Sequence, residues 1–293
     1  VSGLVRRLPR RLALALGRGL GRVWADLDPR HVKIAAENLR HAYPHWDEPR
    51  LLRTARAVYA HFGSILFDIL WMERRSREEI MGLVDVQGAQ EARAALLERR
   101  GVVMVACHLG NWELNGIALG WLFEPVSVVA RPLDNPALDA HLVAFRQKSG
   151  NAVLYKKNVL GTALRLLRDA KAVAFLVDQN VQADEGIFVD FFGRPAASTT
   201  VAAALAVRVE CPIMHGWTQL RPDGRYVMRY GVTRPRPGAE RTAEVERLTR
   251  ELAQIIEGYV REAPEQWLWL HRRWKTRPPG EEPVVGTAGA SPE

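Results

Sequence analysis

An unbroken apolar run, Val102-Val103-Met104-Val105-Ala106-Cys107, ends in His108-Leu109-Gly110-Asn111-Trp112-Glu113. An imidazole and a carboxylate at this spacing are a candidate general base and its support, provided that they converge. On one continuous helix they would stand about 140° apart, so a turn must intervene. Gly110 relaxes the backbone and Asn111 is a good helix N-cap. The pattern therefore predicts His108 at the carboxyl end of a buried strand and Glu113 in the first turn of the following helix. Open α/β sheets gather their ligands at that strand end, and a helix N-terminus favours an ionised Glu113. A second apolar run, residues 172–177, ends in Asp178-Gln179. Asp178 is expected to meet His108 across the sheet and to share, or take, the supporting role; a loop-capping aspartate is the plainer reading. Arg131, just past the apolar residues 126–130, is a candidate bidentate grip on an acceptor phosphate, or else a surface arginine.

Other chemistries fit less well. Cys107 adjoins His108, but neighbours along a strand point to opposite faces, so Cys107 is expected in the core. No G-x-S-x-G elbow and no G-x-x-x-x-G-K-[ST] loop occurs, which argues against an α/β-hydrolase and a P-loop enzyme. Gly17-Arg18-Gly19-Leu20-Gly21 lacks the preceding strand and the spacing of a dinucleotide fingerprint. His141, His215 and His271 show no ligand spacing with Cys107 or Cys211, so neither a metal nor a bound cofactor is expected. Two cysteines in 293 residues exclude a disulfide scaffold.

The elements that must position these residues follow from hydrophobic periodicity. Helices are expected over residues 30–80, where Val32, Ala35, Ala36 and Leu39 recur at helical spacing up to Pro44, and Val58, Phe62, Ile65, Leu66, Ile69 and Leu70 continue beyond it. From about residue 88, helices alternate with short apolar runs. Strands are expected at 102–107, 126–130, 152–155, 172–177, 212–219 and 225–230. Helices are expected at 89–100, 112–123, 136–149, 159–169, 199–209 and 242–262. Pro222-Asp223-Gly224 joins the last two strands as a hairpin. The alternation implies an α/β fold, an αβα sandwich around a mostly parallel central sheet; N-terminal membrane-associated helices are expected from the amphipathic pattern described next. A composition of 47% hydrophobic and 25% charged residues is that of a globular chain. No linker divides residues 30–275. Three regions are expected: a basic amphipathic helix over 1–29, a catalytic domain over 30–277 and a Pro/Gly-rich, disordered tail over 278–293.

The charge is uneven. Lys and Arg number 41 against 33 acids, a net +8. Arg6, Arg7, Arg10, Arg11, Arg18 and Arg22 all precede the first acid, Asp26. On a helix, Leu12, Leu16, Leu20, Val23 and Leu27 fall in one stripe about 80° wide, with Arg11, Arg18 and Arg22 beside it. That is the pattern of a helix lying in a membrane interface among anionic lipids. A helix packed on the core and a nucleic-acid arm are the alternatives; the second lacks any aromatic-basic recognition motif, so no nucleic-acid partner is expected. A secretory signal is not expected, because arginines follow the short apolar run, and no run reaches the ~18–20 residues of a spanning helix. A second basic cluster, Arg272, Arg273, Lys275 and Arg277, is interleaved with Trp267, Trp269 and Trp274. It suits a phosphate-bearing ligand or an acidic carrier protein, or tryptophans packed on the core. Phe188, Phe191 and Phe192 line an acyl channel or belong to the core.

Six stretches in order carry a resemblance over residues 30–278: Ala36-Glu37-Asn38-Leu39 with Tyr43-Pro44, the His108–Glu113 motif, Arg131-Pro132-Leu133-Asp134-Asn135-Pro136, Asp178-Gln179, Val189-Asp190-Phe191-Phe192-Gly193, and Trp267 to Lys275. The chain resembles the bacterial lipid A biosynthesis acyltransferases, the lauroyl/myristoyl transferase family of the lysophospholipid acyltransferase superfamily. The resemblance implies transfer of a fatty acyl chain from an acyl carrier protein or coenzyme A thioester to a hydroxyl of a lipid A precursor or similar glycolipid. It implies a site at the cytoplasmic face of the inner membrane. The family's H-x4-D/E motif falls on His108 and Glu113. Asp178 joins them as a candidate catalytic residue, with Gly110, Asn111, Arg131, Gln179, Arg272 and Arg273 as candidate substrate contacts. Where the family usually has a longer hydrophobic anchor, the short Arg-rich helix implies a peripheral, interfacial attachment. Related acceptors, such as a phosphatidylinositol mannoside, an ornithine lipid or a lysophospholipid, and a non-catalytic membrane-surface protein, are the alternatives.

Overall fold

The computed structural model describes residues 2–155 and 159–280. The tail expected to be disordered therefore lies, beyond Gly280, outside the described residues. Five helices come first: α1 (Ser2–Val5), α2 (Arg10–Leu27), α3 (Pro29–Ala42), α4 (Glu48–Met72) and α5 (Arg77–Met81). Strands and helices then alternate through β1 (Val84–Gln87), α6 (Ala89–Leu97), β2 (Val102–Ala106), α7 (Trp112–Leu122), β3 (Val126–Ala130), α8 (Pro136–Gln147), β4 (Ala152–Tyr155), α9 (Val159–Arg168) and β5 (Ala172–Leu176). A hairpin, β6 (Gly186–Phe191) and β7 (Arg194–Thr199), precedes α10 (Val201–Val209), β8 (Ile213–Leu220), β9 (Tyr226–Thr233) and α11 (Arg241–Glu262).

Seven strands form one sheet in the order β1-β9-β8-β2-β5-β3-β4. Every neighbouring pair is parallel except β8 and β9, the hairpin expected at Pro222-Asp223-Gly224. The central strand β2 is covered on both faces, which is why it reads as a continuous apolar run. Val102 and Met104 pack with Leu114, Ile117 and Ala118 of α7. Val103 and Val105 pack on the opposite side with Ala163 and Leu167 of α9, Ala202 and Ala206 of α10, and Leu248 and Leu252 of α11. The sheet is thus filled between two helical layers.

Register decides what happens at the carboxyl end. Ala106 of β2 pairs with Leu176 of β5. His108 and Asp178 each lie two residues further on, so they emerge level with one another on adjacent strands, which are about 4.8 Å apart.

Two pieces of the fold have no clear signature in the sequence. Strand β1, Val-Asp-Val-Gln, is a four-residue edge strand, too short to register as a period. The β6–β7 hairpin turns at Phe192-Gly193, both at positive φ (57° and 73°). That backbone suits a tight hairpin, but Phe at such a position gives no turn signal.

Helix α2 packs one face on the protein and leaves the other outward. Its face of small residues, Ala13, Gly17, Gly21 and Ala25, together with Leu14, is buried. A Cβ on Gly17 would stand 2.3 Å from the Gly63 carbonyl oxygen, and one on Gly21 would stand 2.1 Å from that of Tyr59. The two glycines therefore let α2 lie backbone against backbone on α4. The leucine stripe faces outward: Leu12, Leu16, Leu20, Val23, Trp24 and Leu27 are 44–73% exposed. Among the described residues no helix is long and apolar enough to cross a membrane.

Candidate active site

His108 stands where the sequence places it, just past the end of β2. Its Nδ1–H donates to Asp178 Oδ1 at 2.8 Å, and its backbone N–H donates to Asp178 Oδ2 at 2.8 Å. The Trp267 indole N–H donates to the same Oδ2 at 2.7 Å. Asp178 is buried, while the His108 side chain retains 16% exposure. With Nδ1 occupied, Nε2 is the nitrogen left for a substrate. Burial opposes charge on both groups, but their mutual attraction and these hydrogen bonds prevail. Asp178 is held down at about 2, and the His108 imidazole is raised above its ordinary 6.5, with Glu113 adding to the rise and Arg146 opposing it. The Trp112 ring meets the His108 ring edge-on, 5.1 Å between centroids, and Phe62 braces Trp112 at 5.5 Å.

Glu113 occupies the first turn of α7, as expected, but it faces a different partner. Arg146 of α8 grips its carboxylate bidentately, Nε to Oε2 at 2.8 Å and Nη2 to Oε1 at 2.6 Å, and the Trp112 indole N–H adds a third bond at 3.0 Å. Of the two acids proposed from sequence, it is Asp178 that hydrogen-bonds the imidazole. Glu113 acts on it through space. Local sequence gives no sign that Arg146 or the Trp267 indole meets these acids; both arrive through tertiary packing.

The turn between His108 and α7 is clamped on every side. Gly110 has φ +59°, and a Cβ there would lie 1.5 Å from the Thr218 carbonyl oxygen. Its N–H donates to the Gln266 carbonyl at 2.9 Å, and the Asn111 N–H donates to Thr218 at 3.3 Å. Asn111 caps α7, accepting from Leu114 N–H at 2.9 Å. Its amide also donates to the Tyr226 hydroxyl (3.2 Å), which donates to Asp68 (2.6 Å), which pairs with Arg10 of α2 (2.8 and 2.6 Å). Gly110 and Asn111, expected as substrate contacts, are both buried, and their hydrogen bonds hold the turn in place.

The remaining candidates divide. Arg131 and Gln179 are exposed beside the ends of β3 and β5, on the edge that carries His108, and Arg272 is half-buried. Arg273 differs from the expected surface cation. It is 2% exposed, its guanidinium donates to the Ala197 carbonyl and to Ser198, and it lies 5.1 Å from the Phe191 ring. It therefore pins the C-terminal segment to β7. Trp267, Trp269 and Trp274 are core residues, as are Phe191 and Phe192, which pack against them; Phe188 is only half-buried. Cys107 is buried, and desolvation raises its thiol well above the ordinary range, which leaves no thiolate for a nucleophilic role.

The sequence profile of the family described as bacterial lipid A biosynthesis acyltransferase matches residues 1–276. The lipid A biosynthesis lauroyltransferase of Escherichia coli (strain K12) is 28% identical over 289 residues, covering 96% of this chain and 90% of that protein. The lipid A biosynthesis palmitoleoyltransferase of the same organism is 27% identical over 94% of this chain and 89% of its own length. A phosphatidylinositol mannoside acyltransferase of Mycolicibacterium smegmatis is 24% identical over 76% of this chain and 72% of that protein. With the profile matched over residues 1–276 and an imidazole-carboxylate pair at the end of a parallel strand, the chain belongs to the bacterial lipid A biosynthesis acyltransferase family.

Proposed function

We propose that the protein transfers a fatty acyl chain from a thioester, carried by an acyl carrier protein or coenzyme A, to a hydroxyl of a lipid A precursor or similar glycolipid. His108 acts as the general base. The observation that carries this reading is the His108–Asp178 pair, which fixes the proton on Nδ1 and leaves Nε2 as the acceptor on a side chain that retains 16% exposure. Nε2 takes the proton of the acceptor hydroxyl while the oxygen attacks the thioester carbonyl. The tetrahedral intermediate collapses with cleavage of the C–S bond, and the imidazolium returns its proton to the departing sulfur. An ester and a free thiol result, without an acyl-enzyme. Asp178 and, at longer range, Glu113 stabilise the imidazolium. The Trp112 and Glu113 N–H groups at the start of α7, ahead of the capped Leu114, suit the developing oxyanion. General-base help of this kind contributes ~10²–10⁴-fold.

The same reading places the enzyme at the cytoplasmic face of the inner membrane, attached peripherally. The support is the exposed stripe of α2, flanked by arginines, which matches an interfacial helix resting on anionic lipid. The mycobacterial-type relative favours a second acceptor, a phosphatidylinositol mannoside. Incubation of the protein with a radiolabelled acyl donor and each acceptor in turn separates the two. The His108→Ala protein is expected to fold and to lose at least a hundredfold in turnover with either acceptor. Full transfer by that variant would refute the assignment.

A further inference from the structure

A cavity of about 740 Å³ opens between α2, α4 and the carboxyl end of β8. Five arginines line it, Arg18, Arg22, Arg53, Arg56 and Arg221, against the acids Asp26 and Glu265. Two of the five are already neutralised: Arg56 pairs with Asp26, and Arg221 with Asp85 and Asp223. Arg18, Arg22 and Arg53 have no ion pair among the described residues. All three are exposed side chains, and their shared place on one concavity gives it a positive potential that attracts anions. Planar donor forks of this kind suit phosphate oxygens.

A second group in the wall narrows the ligand further. His61 is 8% exposed, and its Nε2 lies 3.4 Å from the Gly110 carbonyl oxygen. Burial, aided by Arg18, lowers its basicity to about 4, so the ring is neutral and Nε2 carries the hydrogen. Nδ1 is then a bare acceptor with no partner among the described residues, on a side chain that borders the cavity. A phosphate dianion has nothing to donate to it, whereas a hydroxyl does.

We propose that this cavity binds a phosphate ester borne on a hydroxylated headgroup, with Arg18, Arg22 and Arg53 on the phosphate oxygens and His61 accepting from a neighbouring hydroxyl. The site is separate from the His108–Asp178 pair but shares its sheet edge, because β8 is the neighbour of β2. It borders the same loop, since His61 contacts the carbonyl of Gly110. Arg18 and Arg22 also share α2 with the exposed leucine stripe, so a headgroup in the cavity lies beside a surface fit for its acyl chains. The proposal concerns binding alone and is tested apart from catalysis.

The test uses the full chain carrying His108→Ala, so that no turnover intervenes, with and without Arg22→Gln and Arg53→Gln together. A control protein carries Arg165→Gln and Arg168→Gln, which remove the same charge from exposed positions on α9. Two phosphorylated probes are used: glucose 1-phosphate in solution, followed by calorimetry, and neutral vesicles doped with a phosphatidylinositol phosphate, followed by sedimentation. Phosphatidylserine vesicles of matched surface charge are the reference. The cavity variant is expected to lose at least tenfold in affinity for a phosphorylated probe relative to the control protein, and less than threefold for the reference vesicles. A loss seen with both probes means that the free sugar phosphate suffices, and a loss on vesicles alone means a lipid headgroup. Binding of both phosphorylated probes within threefold of the control overturns the proposal. So does an equal loss on the two vesicle types when the unaltered cavity binds no glucose 1-phosphate.

Discussion

Replacing Asp178 by Asn tests the proposed chemistry most directly, because the hydrogen-bond pattern dictates how the amide must sit. Asp178 Oδ2 receives two N–H donors, the His108 backbone and the Trp267 indole, at 2.8 and 2.7 Å. An amide NH2 placed there would oppose both. The Asn carbonyl oxygen therefore takes the Oδ2 position, and the NH2 takes the position of Oδ1, 2.8 Å from His108 Nδ1. Facing a donor, Nδ1 must accept, which moves the ring proton to Nε2. The imidazole then offers a hydrogen where it should offer a lone pair, and the imidazolium loses its counter-charge. In serine proteases the equivalent change costs ~10⁴-fold in turnover, or about 5 kcal/mol at 1.36 kcal/mol per decade. Both N–H donors at the Oδ2 position stay satisfied, so the variant should fold. The assay is the initial rate of radiolabelled acyl transfer from an acyl-thioester donor to a lipid A precursor, with a thermal melt to confirm folding. Turnover within tenfold of the unaltered protein would refute the tautomer argument and the role of Asp178.

Further outcomes follow from the same geometry. Because the proposed base, His108, must be neutral to act and its basicity is raised, the acid limb of the kcat/KM profile should lie above pH 6.5 and move to lower pH in Asp178→Asn. The His108–imidazolium contribution to stability has the opposite sense, present at low pH and lost as pH rises through the folded-state value, so a melt-against-pH series should run counter to the activity profile. Glu113→Gln strands Arg146, whose side chain is 13% exposed; urea unfolding should show a loss of about 2–4 kcal/mol, largely recovered in Glu113→Gln/Arg146→Met. Tyr226→Phe removes the hydroxyl between Asn111 and buried Asp68, at a cost of about 1–3 kcal/mol in stability and a several-fold drop in turnover. Leu20→Glu with Val23→Glu should weaken sedimentation with anionic vesicles at least tenfold, since each buried leucine- or valine-sized side chain contributes about 1.5–3 kcal/mol; unchanged sedimentation would contradict the interfacial placement of α2.

The parts of this site legible in the sequence are those that local rules govern. A run of β-branched residues, then Gly-Asn, then an apolar helix can hardly be read otherwise than as strand, capped turn and helix, and β2, Asn111 and α7 appear as read. The meeting of His108 with Asp178 was also within reach, because both follow apolar runs of similar length that pair in parallel. Glu113 shows the limit. Its place in the first helical turn is a local matter, but its orientation is set by Arg146 on another helix, and nothing within several residues of either reports the pairing. Arg273 shows another limit: a basic cluster reads as surface until packing buries one member under a hairpin that the sequence barely announces. In α2 the leucines drew attention, yet it is the glycines that make the contact with α4.

The N-terminal region also completes a buried charge pair. Asp68 is wholly enclosed, and among the described residues its cationic partner is Arg10, which also approaches the rings of Trp71 and Tyr226. Trimming the greasy helix to obtain a more tractable protein would strand a carboxylate in the interior and loosen the phenol that steadies the Asn111 cap. The segment that looks most like a detachable mooring is therefore a keystone of the catalytic half, and efforts to improve solubility should repaint its outer leucines and leave the helix in place.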